Sequence, residues 1–267
     1  MSSGKTITIL LLTFTLILLG CSDSATDTEL SDPPELPELQ QYQPSFEYFS
    51  DAGNGTATTQ AGLGYSLAAE LMNRTVSPLF STTAVYMPFF NQAKNSDATF
   101  NNGVWEWTYT YSQAGQSAEI RLTAEPDEST GDISWALYIS TSGTDGPDFE
   151  NYRFMDGTTS GDGSEGSWSI YPYQENATAS PVLTFDWTRE DENNYTASYT
   201  FTPEQVSGSF SIDFTQSGAE RTLDFSSSDG EFDVVVFWNT DTKEGYINRA
   251  DSERICWNSS LENVSCQ

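Results

Sequence analysis

The sequence predicts a mainly β protein: a large antiparallel meander of about eleven strands, curved into a half-barrel or barrel, with a short N-terminal helical segment packed on it. Three observations carry this. Beyond Phe100 the apolar residues recur at every second position, short turn clusters separate the runs, and the one stretch with helical spacing precedes them.

The helical stretch covers residues 61–95. Leu63, Leu67 and Leu71 recur every four residues and give a short amphipathic helix, with Asn73 near its end and Pro78 as a boundary. A second piece, Thr82 to Lys94, carries Val85, Met87, Phe89 and Phe90, and Pro88 should kink or break it. The apolar side of this segment needs a partner, and the concave face of a curved sheet offers one.

The strands follow in order. Ile120 and Leu122 flank Arg121, and Ile133, Trp135, Leu137 and Ile139 alternate with smaller or polar residues. Trp168 with Ile170, then Leu183, Phe185 and Trp187, continue the period. Tyr195, Ala197, Tyr199 and Phe201 follow, then Phe210, Ile212 and Phe214, then Leu223 and Phe225. Val234, Val236 and Trp238 face opposite Val235 and Phe237, so that strand should be buried on both faces. Connections such as DESTGD, EDENN and SSDGE are too short for parallel crossovers, so neighbours are antiparallel. A flat sheet this wide would accumulate too much twist, which leaves a half-barrel, a barrel or a sandwich.

The stretch GVWEWTYTYSQ puts Trp105, Trp107, Tyr109 and Tyr111 on one face. Such alternation is the ordinary mark of a half-buried strand, which makes the row core. Four rings with polar handles in one strand also exceed what a dry core uses. The row, together with Trp135, is therefore also a candidate lining for a ligand.

Composition narrows the chemistry. Ten Lys+Arg stand against thirty-nine Asp+Glu, a net charge of −29, which repels phosphate backbones and excludes nucleic acid as a partner. The acidity suits a solubilising coat, a divalent-cation store or a cationic partner. The chain has no histidine, so Ser–His–Asp triads, Cys–His pairs and His-ligated zinc or haem are excluded.

The first residues read MSSGKTITILLLTFTLILLGC: a positive Lys5, then an apolar stretch from Ile7 to Leu19 that is shorter than a spanning helix and suits a secretory signal. It ends in Leu18-Leu19-Gly20-Cys21, which resembles the lipobox of bacterial lipoproteins, although Leu19 stands where Ala or Ser is commoner. The resemblance implies cleavage after residue 20, acylation of Cys21 and anchorage in a bilayer by two or three chains at ~0.8 kcal/mol per buried methylene. Ser22 rather than Asp follows the cysteine, which by analogy favours the outer membrane of the cell envelope.

Residues 21–45 then read as a lipidated cysteine and an acidic, proline-bearing tether that stays extended, and residues 46–267 as a single β-rich domain. In an exported chain whose other cysteine is acylated, Cys256 and Cys266 should pair.

The stretch from Asp156 to Ser167 places oxygen side chains around glycines and faintly resembles a calcium loop, with Asp156, Thr158, Ser160 and Asp162 as candidate ligands for Ca²⁺. Ser167 stands where a bidentate Glu belongs, and a Gly-rich hairpin loop explains the same residues. Asp186, Asp213 and Glu106 are out of phase with the aromatic face and should point to solvent.

The expected function is non-catalytic binding of a lipid, a small amphiphile or another envelope component by a membrane-anchored domain. A carboxylate-dependent glycan-processing enzyme and a structural or adhesive surface protein are the alternatives.

Overall fold

The computed structural model describes residues 32–38, 43–54, 61–83, 87–113, 116–141, 148–172, 180–203, 208–250 and 252–266. The chain divides into two compact units, Met1–Asp32 and Pro33–Gln267. The signal region and Cys21 lie outside the described residues; the second unit is described below.

Fourteen strands form one antiparallel sheet in sequence order: β1 Ala98–Asn101, β2 Val104–Gln113, β3 Gln116–Pro126, β4 Ile133–Thr141, β5 Phe149–Thr159, β6 Glu165–Ile170, β7 Leu183–Arg189, β8 Asn194–Phe201, β9 Phe210–Ser217, β10 Glu220–Ser227, β11 Asp233–Asn239, β12 Gly245–Arg249, β13 Ile255–Trp257 and β14 Asn263–Val264. The meander is as predicted, with β1 and β14 as free edges, so the sheet is open and not a closed barrel. Short edge strands limit the unpaired backbone that the open ends present.

The additional strands lie where alternation is short or interrupted. In β5 the inward residues Phe149, Tyr152 and Met155 are three apart, because the pairing with β4 shifts register between Leu137 and Tyr138 and again between Ile139 and Thr141. The stretch from Asp156 to Ser167 is also more ordered than a loop: β5 runs to Thr159 and β6 starts at Glu165, leaving Ser160–Ser164 as the turn.

One face of the sheet carries the core. In register across ten strands run Trp105, Ala124, Trp135, Gly157, Trp168, Phe185, Tyr199, Ile212, Phe225 and Val234. Gly157 belongs to this row because a Cβ there would lie 2.7 Å from the Trp168 ring and 2.1 Å from the Ser167 carbonyl. The prediction that β11 is buried on both faces is corrected: Val235 and Phe237 are only half-buried. Phe237 stacks on Tyr246 at 5.3 Å, and the Arg254 guanidinium covers that ring, so a surface cluster of three accounts for the apolar outer residues.

The N-terminal layer lies on the inner face. A 3₁₀ helix, Glu47–Asn54, leads to α1 Leu63–Leu71, a π turn Met72–Val76, α2 Ser77–Thr83 and α3 Met87–Ala93. Its rings meet widely separated strands: Phe89 and Tyr111 of β2 at 5.1 Å, Phe90 and Trp168 of β6 at 5.4 Å, Phe80 and Tyr199 of β8 at 4.4 Å, Phe49 and Trp238 of β11 at 5.1 Å, and Tyr65 and Trp257 of β13 at 5.9 Å. At ~4.8 Å per strand, a flat sheet would hold these partners too far apart, so the sheet curls about the layer.

Pro88 opens a new helix, in keeping with the predicted break, whereas Pro78 does not end the helical run. Pro88 is the second residue of α3, where a missing N–H costs nothing. Pro78 lies inside a continuous helical run, directly after the π turn, whose wider winding brings Ser77 N–H to the Met72 carbonyl. Asn73 lies just past the end of α1, as expected, in the π turn that follows it, and donates to the Phe49 carbonyl at 2.9 Å. Packing on the body already includes Leu36, which is buried, and Lys94 pairs with Glu38 at 2.8 Å. Cys256 and Cys266 form a disulfide with Cα atoms 5.3 Å apart, closing the C-terminal edge.

Candidate functional site: a groove beside the leucine stripe

The aromatic row of β2 is core. Trp105, Trp107, Tyr109 and Trp135 are 7%, 3%, 9% and 2% exposed, and α3 packs on β2 through Phe89, at Tyr109 and Tyr111. Trp107 stacks on Trp135 at 6.1 Å, and Trp135 Nε1 donates to the buried Thr159 Oγ1 at 2.9 Å. Tyr109 donates its hydroxyl proton to the Phe89 carbonyl at 2.5 Å, and burial pushes its pKa well up, so it stays neutral. Tyr111 meets Phe89 edge-on and is half-buried. Tyr109 and Trp135 thus find partners within the protein, whereas the indole N–H groups of Trp105, Trp168 and Trp238 are buried without a partner among the described residues. The N-terminal layer occupies the space a ligand would need on this face.

Of the candidate calcium ligands, Ser160 and Asp162 meet in the β5–β6 turn, whereas Asp156 is engaged elsewhere. Asp156 is on β5, where Arg153 pairs with it and the Tyr171 hydroxyl donates to it at 3.0 Å. Asp162 instead closes the β5–β6 turn, accepting from Ser160 Oγ at 2.8 Å and Ser164 N–H at 2.9 Å. The hydrogen bonds from Ser164 and Ser160 hold its pKa down to about 2. Among the described residues no group of three or more Asp, Glu, Cys or His is placed to hold a metal. A cavity of about 490 Å³ adjoins this turn, and six carboxylates, Arg189, Trp187 and the buried Leu36 are among its lining.

Asp186, Asp213 and Asp224 lie on the outer face. Asp213 and Asp224 are directly opposed in register, and Ser198 donates to Asp213 at 2.5 Å. Burial raises the pKa of Asp186; burial, then the charges of Asp233 and Asp213, raises that of Asp224. None of the three lines a cavity described here.

The leucine stripe is where the structure departs most from expectation. Helix α1 buries Gly64, Tyr65, Ala68 and Ala69 against the sheet, and Leu63 is 58% exposed. Leu67 and Leu71 instead form one wall of an open groove of about 600 Å³. Val234 and Ile247, in neighbouring strands, line the facing wall, and Phe232, 51% exposed, stands at the rim. Phe232 is held there by the β10–β11 turn, where its N–H donates to Ser227 Oγ at 3.0 Å and Gly230 takes φ 74°.

Charges of both signs edge the groove. Arg74, on the π turn, is tied to Glu70 at 3.2 Å with both side chains largely exposed. Arg249 makes no ion pair among the described residues, and Glu231 and Asp233 flank Phe232. The groove is therefore an open cleft with apolar residues on two walls and charged residues around its edge. The period-four leucines that mark it are legible in the sequence; their direction is not, because it depends on the small residues of the opposite face. Comparison with protein-family models, curated proteins and solved structures finds no match to this chain.

Proposed function

We propose that the chain is a lipoprotein of the cell envelope, held at the outer membrane through acylated Cys21, whose β domain binds an amphiphile without catalysis in the groove beside α1. One observation carries this reading: Leu63, Leu67 and Leu71 turn away from the sheet, two of them into an open slot faced by Val234, Ile247 and Phe232. Burying such surface is worth ~25 cal/mol per Å² of apolar area, so an acyl chain laid in the slot gains several kcal/mol. Binding moves from the aromatic row to the groove because the N-terminal layer already fills the concave face. Hydrolysis by paired carboxylates finds less support, since Asp186, Asp213 and Asp224 sit on the outer face beside no described cavity.

The test is native mass spectrometry with lipid extraction on the full-length protein purified from its own envelope. The expected protein starts at an acylated Cys21 and carries a bound amphiphile, and Leu67→Ser with Leu71→Ser loses it. An unacylated N-terminus would refute the anchor. A wild-type protein free of ligand at every occupancy would leave a structural role in place of binding.

A further inference from the structure

Resting on that reading, we infer that the groove selects an amphiphile with a zwitterionic phosphate–amine headgroup. The argument is charge placement at the mouth. Arg249 ends β12 directly across from Val234, a residue of the apolar wall, and lines the groove with it. It is a free cation among the described residues, in a protein with ten basic side chains and a net charge of −29. A guanidinium takes a phosphate through two parallel hydrogen bonds. Glu231 and Asp233 line the same rim, either side of Phe232, and put negative charge there to meet an ammonium group, although Asp233 also acts on Asp224 of the outer face.

Other headgroups fit less well. A purely anionic head gains Arg249 but faces Glu231, Asp233 and the field of the whole chain. A purely cationic head gains the carboxylates and meets Arg249. A neutral head leaves charges of both signs partly desolvated with nothing in return. A head that carries both signs satisfies both sides at once, and Arg74, already neutralised by Glu70, is not needed.

The test is isothermal titration of the mature full-length protein with three probes below their micelle concentrations. These are a phosphoethanolamine lipid and a phosphoglycerol lipid, each with two six-carbon chains, and an alkyl maltoside. We expect the phosphoethanolamine lipid to bind ~10-fold tighter than the other two. Arg249→Ala and, separately, Glu231→Gln with Asp233→Asn should each reduce that preference towards unity, with thermal melts confirming the fold. Equal binding of all three, weakened together by Leu67→Ser, would overturn the headgroup inference and keep the amphiphile reading. Preference for phosphoglycerol would overturn the inference too. Binding of none of the probes would end both.

Discussion

Gly64 of α1 lies so close to Ile255 of β13 that a Cβ on it would come within 2.8 Å of Ile255 Cγ2 and 3.1 Å of the Ile255 carbonyl. This contact seats the helix by its small face and turns the leucines outward. Gly64→Val is therefore expected to destabilise the domain by ~1–3 kcal/mol, as overpacking does. Denaturant unfolding would measure the loss, and a midpoint equal to that of the wild type would mean the helix is not held by this approach.

The buried indoles divide into those with a partner and those without. Trp135 donates to Thr159 Oγ1, which is itself buried, whereas Trp105 Nε1 has no acceptor among the described residues. Trp135→Phe and Trp105→Phe remove comparable ring volume, so their difference isolates the hydrogen bond. The Trp135 variant should lose about 1–3 kcal/mol more, because it orphans a buried hydroxyl. Equal losses would show that the bond adds nothing.

The opposed carboxylates of Asp213 and Asp224 give a pH-dependent prediction. Burial first, then the charges of Asp233 and Asp213, raises the pKa of Asp224 above its unfolded value. A carboxyl group raised in this way favours the fold when protonated. Its contribution is complete below the unfolded pKa and is lost as pH rises to the folded value. Asp224→Asn should therefore stabilise at neutral pH by ~0.2–1 kcal/mol, the range for like charges set opposite one another in a sheet. The gain should vanish in acid and shrink in high salt. Unfolding curves at neutral and acid pH check this, and a loss of stability at neutral pH would contradict it.

Sequence alone sufficed for the antiparallel meander, since the alternation of Trp105, Trp107, Tyr109 and Tyr111, and of the strands after them, depends on nothing but the period of a pleated chain. The same holds for the outward placement of Asp186 and Asp213 and for the pairing of Cys256 with Cys266. β5 escaped because its bulges put the inward residues three apart, and β14 because two residues carry no period.

What only the tertiary structure decided is direction and occupancy. The spacing of Leu63, Leu67 and Leu71 marks a helix face but not which face meets the sheet; the close approach at Gly64 and the burial of Tyr65, Ala68 and Ala69 gave the sheet to the opposite face. The aromatic row was readable as core or as lining, and it became core because α3 packs on β2 and the Tyr109 hydroxyl finds its acceptor in that helix. A local period records where side chains point relative to one another. Which side is covered depends on how near two elements can come, and that distance is set by residues far apart in sequence.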